Sequence, residues 1–133
     1  MGRLDAWAPR VLSLLRIVAA LLFMEHGLMK IFEFPAAQQG VPSPMPAILV
    51  AAGWIEIIGG ALIAMGLFTR VVAFLCSGEM AVAFFMAHVA RTGVFWPALN
   101  MGDAAILYCW VFFYLVFAGP GPWSLDAIVR KRT

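Results

Sequence analysis

Four long apolar stretches occupy most of this chain, and they constrain its fold more than any other feature of the sequence. A transmembrane helix needs about 20 mostly apolar residues, and such windows cover approximately residues 11–32, 47–68, 71–90 and 99–118. The chain has 64% hydrophobic and 12% charged residues, whereas a soluble domain has roughly 45–50% apolar and about 25% charged residues. We therefore expect residues 1–133 to form a single membrane domain.

Helix breakers separate the four windows and indicate that each window is one helix. Pro35, Gly40 and Pro42 lie in the first connection, and Thr69-Arg70 marks a tight second one. A Gly-Pro-Gly-Pro segment follows the last window, and a helix does not continue through such a segment. Helices satisfy their own backbone groups in lipid. The predicted fold class is all-α, an integral membrane four-helix bundle.

The distribution of Lys and Arg predicts the orientation of this bundle. With four spans, the side that carries both termini has six basic residues: Arg3, Arg10, Arg70, Arg130, Lys131 and Arg132. The opposite side has Lys30 and Arg91. By the positive-inside rule both termini are predicted to be cytoplasmic. Arg16 lies inside the first window, and we expect its side chain to extend back to the cytoplasmic face.

Each apolar window also carries ionisable residues, and these are the main clue to function. They are Glu25, His26 and Lys30 in the first window, Glu56 in the second, Glu79 and His88 in the third, and Asp103 in the fourth. Inserting a carboxylate near the centre of a span costs about 2.5–3.5 kcal/mol. We therefore expect these side chains to face one another or water, where they would mark a ligand or proton pathway.

Helical periodicity predicts where some of these side chains point. Gly53, Glu56 and Gly60 are spaced by three and four residues, so Glu56 lies on a stripe of small residues that a neighbouring helix can approach. Glu79 and His88 are nine residues apart and nearly opposite in a straight helix. Either one of them is then expected to face a partner copy, or His88 is expected to lie at the wet interface. A structural alternative stays open, because a buried Glu paired with Lys or His can fix helix register.

Several other chemistries lack a sequence signature. Cys76 and Cys109 form no CxxC motif, so dithiol exchange is not indicated. His26 and His88 form no HExxH motif, so we predict no metal site. The chain has no glycine-rich phosphate loop, and its positive charge is explained by membrane topology. Nucleotide and nucleic-acid binding are therefore not expected.

The segments that carry these residues resemble the DoxX family of small bacterial membrane proteins over nearly the whole chain. The matching segments are His26-Gly27 with Lys30, Glu56 to Gly60, Gly66 to Arg70, Met80 to His88, Asn100 to Asp103, and GPGPWSLD at 119–126. Where the family often has Gly-Glu, this chain has Gly102-Asp103, which keeps the charge on a shorter side chain. The resemblance implies a four-helix protein linked to oxidoreductase systems, such as thiosulfate-to-quinone electron transfer or complexes that handle thiols or superoxide.

The leading hypothesis from the residues and the resemblance is an accessory or quinone-interacting subunit of a redox system in the bacterial inner membrane. The candidate residues for binding the quinone head group or relaying its protons are Glu25, His26, Lys30, Glu56, Glu79, His88, Asn100 and Asp103, with Trp54 and Tyr108 flanking the ring. No electron-carrying cofactor is evident in the chain, so a redox-protein partner would supply the electrons. The alternative is a non-catalytic small-molecule carrier or an assembly scaffold, whose cavity a homo-oligomer would enlarge.

The C-terminal segment is predicted to be ordered. Pro120 and Pro122 restrict its backbone, and Ser124 is placed to cap a short amphipathic helix. Leu125, Ile128 and Val129 would then face the membrane. The alternative is a solvated basic tail.

Overall fold

The computed structural model describes residues 2–131, and helices account for most of them. Their bounds are α1 Gly2–Asp5, α2 Ala8–Phe32, α3 Ala47–Met65, α4 Thr69–Thr92, α5 Pro97–Asn100, α6 Asp103–Ala118 and α7 Leu125–Arg130. These described residues contain no β-strand. The predicted all-α fold class is confirmed. Arg132, counted above among the basic residues, lies outside the described residues.

Four of these helices have the composition of membrane spans. By length and hydropathy, α2, α3 and α4 can each cross a membrane. α6 is also apolar but has only 16 residues, or about 24 Å at 1.5 Å per residue. The hydrocarbon core of a bilayer is about 30 Å thick. The segments that flank α6 therefore lie close to the membrane core, where their backbone groups need protein partners.

The four long helices pack as a ring of antiparallel neighbours. α2 packs chiefly against α3 and α4 packs chiefly against α6, while contacts of α3 with α4 and of α2 with α6 close the ring. Phe23 and Phe112 fill the centre, where their rings meet edge to face at 4.8 Å. Val18, Phe74 and Trp110 are among the large apolar side chains that point outward. This apolar outer surface is suited to contact with lipid.

Glycines bring α2 and α3 into close contact. A Cβ atom added to Gly27 would lie 2.6 Å from the carbonyl oxygen of Gly53, and one added to Gly60 would lie 2.7 Å from the Cβ of Met24. Such distances are too short for any other residue type without movement of a helix. The small-residue stripe seen in the sequence is therefore the contact surface between α2 and α3.

The fourth long helix begins later than predicted, since the fourth apolar window began at residue 99 and a turn precedes α6 in the structure. The short α5 ends at Asn100, and Met101 has a left-handed backbone with φ of 60°. The Asn100 side-chain oxygen accepts a hydrogen bond from Gly102 N at 2.8 Å. This turn breaks the helix, so α6 begins only at Asp103. Apolarity alone could not reveal the break, because its cause is a local side-chain bond.

A π-helical segment interrupts α4. Residues Phe84–Val89 form wider turns than an α-helix. The expectation that Glu79 and His88 lie on opposite faces assumed a straight α-helix, and the wider turns change that phase. The segment places His88 against the connection that leads to α6.

Candidate functional site

An ion pair between α2 and α3 is the central polar feature of the bundle. Lys30 Nζ donates hydrogen bonds to both carboxylate oxygens of Glu56, at 2.7 and 2.6 Å. The two side chains are only 9% and 3% exposed. Gly53 leaves room for the stem of Lys30, because a Cβ at that position would lie 3.3 Å from the Lys30 Cβ. Glu56 thus points into the bundle and meets its partner across the close helix contact.

A second carboxyl group approaches this pair from α4. Glu79 interacts electrostatically with Glu56 and Lys30, and we call these three residues the Lys30 cluster. Both Glu79 oxygens are buried and have no hydrogen-bond donor among the described residues. The Glu56 and Glu79 carboxyl groups are close enough to share a hydrogen bond once one of them is protonated. One ammonium and two carboxylates leave an excess negative charge, which a single bound proton neutralises.

His26 and Tyr108 extend this polar interior toward α6. Their rings meet edge to face with centroids 6.0 Å apart, and Tyr108 also stacks on Phe112 at 5.9 Å. His26 interacts electrostatically with Lys30 and with Glu25. The two rings therefore connect the Lys30 cluster to the aromatic centre of the bundle.

His88 and Asn100 form a separate polar group at the connection between α4 and α6. His88 Nδ1 lies 3.0 Å from the carbonyl oxygen of Asn100. Asn100 is 1% exposed, and its side-chain nitrogen donates to Val94 O at 2.8 Å. Each of these contacts involves the main chain, so the geometry suits a role in holding the connection rather than in binding a ligand.

The remaining candidate residues point away from the interior. Glu25 and Asp103 are exposed on the outside of the bundle. Trp54 is 43% exposed, and its ring meets Phe32 edge to face at 5.9 Å. Trp54 thus faces outward, whereas Tyr108 packs against His26 and Phe112, and the structure does not bring the two rings together around one site.

A pocket lies next to the Lys30 cluster, beneath the connection between α2 and α3. Its volume is about 270 Å³, and its lining includes Lys30, Glu33, Gln38, Ser43 and Met45. The side-chain oxygen of Gln38 is buried and has no donor among the described residues. Lys30 belongs both to the pocket and to the ion pair, so the pocket borders the Lys30 cluster through this one residue.

The Arg16 side chain extends toward the end of the bundle with both termini, as expected, but it is 0% exposed and meets protein carbonyl groups instead of the membrane surface. Its Nε donates to the carbonyl oxygen of Pro120 at 2.8 Å. Its other nitrogens donate to the carbonyl oxygens of Ile63, Ala64 and Trp123. The guanidinium therefore joins α2 to the end of α3 and to the C-terminal segment. In the sequence, the Gly-Pro-Gly-Pro segment was the signal that could have predicted a partner for Arg16, because the carbonyl groups of this segment cannot be paired within a helix.

The C-terminal segment docks on the turn between α3 and α4. The Asp126 carboxylate accepts hydrogen bonds from the backbone nitrogens of Phe68 and Thr69, both at 2.9 Å. Burial opposes ionisation of Asp126, but these hydrogen bonds outweigh it and hold the pKa of the carboxyl group below its ordinary value. Ser124 accepts a hydrogen bond from Ala127 N at 3.1 Å, which confirms the predicted cap of α7.

The described residues contain no group of three or more His, Cys, Asp or Glu side chains that could hold a metal ion. Cys76 and Cys109 are both free thiols. Around the Lys30 cluster, the described residues thus supply an ammonium, carboxyl groups, an imidazole, a phenol and the thiol of Cys76, which interacts electrostatically with Glu79 and Glu56.

Comparisons with known proteins agree with this architecture. The DoxX family model matches residues 11–89, which is more than half of the chain. An uncharacterized protein of Haemophilus influenzae is 46% identical, with 99% of this chain and 100% of the relative covered. An uncharacterized membrane protein of Mycobacterium tuberculosis is 28% identical, with 97% of this chain and 87% of the relative covered. No solved structure gives a significant match. The family match and the bundle of apolar helices together establish that the chain is a membrane protein of the DoxX family.

Proposed function

We propose that this protein is an accessory, quinone-interacting subunit of a redox system in the bacterial inner membrane. The observation that best supports the proposal is Glu79, a buried carboxyl group that lies beside the Lys30–Glu56 ion pair and has no hydrogen-bond donor among residues 2–131. Ionisable residues inside a membrane protein commonly serve ligand binding or proton transfer. The cluster would bind a quinone head group and exchange protons with it.

The pocket beneath the connection between α2 and α3 has a suitable size and chemistry. An ammonium has three donors, and Lys30 uses two on Glu56. The third can donate to a quinone carbonyl oxygen, while the Gln38 amide or the Ser43 hydroxyl can bind the opposite oxygen. Ligand pockets for drug-sized molecules have volumes of roughly 300–1,000 Å³, so a pocket of about 270 Å³ suits a single substituted ring. Apolar lining such as Met45 provides the remaining contacts.

The proposed reaction requires a second protein. Reducing a quinone to a quinol consumes two electrons and two protons. A redox-protein partner would supply the electrons, and the Lys30 cluster would pass protons to the ring oxygens. Buried carboxyl groups are suited to this task, because a general acid must be within hydrogen-bond reach of the atom that it protonates.

Quinone retention provides the test of ligand binding. Full-length protein would be purified from native membranes in mild detergent, and extracted quinones would be quantified by chromatography and mass spectrometry. We expect quinone above the level of protein-free micelles, a large decrease in Lys30→Met, and no decrease in the matched surface variant Glu25→Gln. Wild-type protein with no more quinone than micelles contain would contradict the proposal.

We further propose that both termini are cytoplasmic. The end of the bundle with both termini carries Arg3, Arg10, Arg70, Arg130 and Lys131, whereas the opposite end carries Arg91 and the ion-paired Lys30. We expect alkaline phosphatase fused to the C-terminus to be inactive, and the same reporter inserted in the connection before α3 to be active. The reverse pattern would overturn the orientation.

A non-catalytic scaffold or carrier is the second candidate function. It is favoured by the mutual pairing of Lys30 and Glu56, which joins α2 to α3 without any ligand. A role of this kind predicts that Glu79→Gln leaves the activity of the native redox complex unchanged. The quinone-linked role predicts slower turnover in the same variant.

A further inference from the structure

We propose that the end of the bundle with both termini binds the phosphate group of an anionic phospholipid beside Arg70. A surface pocket of about 230 Å³ lies there between the start of α4 and α7, lined by Phe68, Arg70, Val71, Asp126, Arg130 and neighbouring residues. This pocket is remote from the Lys30 cluster, at the other end of the helices. The proposal is therefore independent of the proposed quinone site.

The guanidinium of Arg70 is oriented by the end of α6. Its Nη1 donates to the carbonyl oxygens of Val116 and Phe117, at 2.5 and 2.7 Å. The Nε and Nη2 atoms make no hydrogen bond to residues 2–131. One side of the planar group is thus fixed by the protein, and its other donors remain available. An arginine held in this way can bind a phosphate through two parallel hydrogen bonds.

The other charged residues of the pocket are compatible with an anion. The Asp126 carboxylate is already bound by the backbone nitrogens of Phe68 and Thr69. It also interacts electrostatically with Arg130. Because this carboxylate interacts with Arg130, the guanidinium of Arg70 gives the lining an excess positive charge. This excess would attract a headgroup with a net negative charge more strongly than a zwitterionic one.

The apolar surroundings favour a phospholipid over a free phosphate ion. Phe68 and Val71, which border the charged groups, are 67% and 66% exposed. Acyl chains can cover these side chains while the phosphate contacts Arg70. Trp123 is also half exposed at this end of the bundle, and tryptophan is enriched at the headgroup level of membranes.

Native mass spectrometry of the full-length protein in detergent tests the proposal. The protein would be titrated separately with phosphatidylglycerol and phosphatidylcholine. We expect wild type to retain phosphatidylglycerol preferentially, and Arg70→Gln to weaken that binding about tenfold through the loss of hydrogen bonds to a charged group. Arg10→Gln is the matched control, because Arg10 is an exposed arginine at the same end and outside the pocket.

Further variants and a competitor distinguish the alternatives. Arg130→Gln is a second pocket variant in which the Arg70 contacts are kept, and we expect it also to weaken phosphatidylglycerol binding. Equal losses in Arg10→Gln and Arg70→Gln would indicate attraction by surface charge alone and overturn the proposal. Displacement of the lipid by millimolar inorganic phosphate would identify a free-phosphate site instead. Unchanged phosphatidylglycerol binding in both Arg70→Gln and Arg130→Gln would likewise refute the proposed lipid site.

Discussion

Lys30 and Glu56 lie 26 residues apart and meet through two hydrogen bonds between α2 and α3, near the close contact of Gly27 with Gly53. Removing one member of a buried ion pair costs about 3–5 kcal/mol, because the other charge is left without a partner. We therefore expect Glu56→Leu to destabilise the protein by about that amount and Glu56→Gln to destabilise it less, since Gln still accepts a hydrogen bond. Unfolding in detergent micelles would measure both variants.

The exposed Glu25 supplies the control for this comparison. Glu25→Leu removes a carboxylate from the same helix pair without leaving a buried ammonium unpaired. We expect its unfolding to remain close to that of wild type. Equal stability of Glu56→Gln and Glu56→Leu would show that the Lys30–Glu56 bonds contribute little.

Arg16 should resist replacement even by lysine. Its planar guanidinium donates to four carbonyl oxygens in different directions, and a lysine ammonium cannot reproduce that geometry. We expect Arg16→Lys to lower the free energy of unfolding by about 2–4 kcal/mol, as hydrogen bonds to a charged group contribute about 1.5–3 kcal/mol each and lysine keeps some of them. Hydrogen exchange of residues 119–124 should accelerate in Arg16→Lys but not in the surface variant Arg10→Lys.

The docking of α7 should depend on pH through Asp126. Its pKa is lowered in the folded protein, so its contribution to stability is fully present above the unfolded value of about 3.9 and is lost as pH falls through the folded value. We expect exchange of the Phe68 and Thr69 amides to accelerate on acidification below about pH 4. Asp126→Asn should show fast exchange of these amides already at neutral pH. A wild-type response that persists unchanged in this variant would assign the acid sensitivity to another group, and Asp5→Asn controls for the loss of a surface carboxylate.

Two helical glycines should respond oppositely to alanine. A Cβ on Gly27 would lie 2.6 Å from the Gly53 carbonyl oxygen, whereas a Cβ on Gly78 would have no atom within 4 Å. We expect Gly27→Ala to destabilise the protein by about 1–3 kcal/mol through overpacking. Gly78→Ala should be neutral or stabilising by up to about 1 kcal/mol, because alanine has the higher helix propensity. Thermal unfolding in one detergent would compare them, and a stable Gly27→Ala would show that α2 and α3 can separate at little cost.

Several features of the interior could be predicted from residue spacing. Gly53, Glu56 and Gly60 recur at helical intervals, which placed Glu56 on the face that meets α2. Periodicity did not identify Lys30 as the partner of Glu56. The choice among His26, Lys30 and other groups depends on the relative translation and rotation of α2 and α3. The rotation of α3 and α2 about their axes also turns the side chains of Trp54 and Glu25 outward.

The sequence by itself determined the membrane character, the apolar helices apart from the break before α6, and the close contact at the glycine stripe, because apolar length, breakers and small residues act locally along the chain. Only the tertiary structure decided the partners of Arg16, which are 47 to 107 residues away. It also decided the position of Glu79 beside the Lys30–Glu56 pair. Such contacts depend on where the folded helices place distant carbonyl and carboxyl groups, and no local pattern encodes that placement.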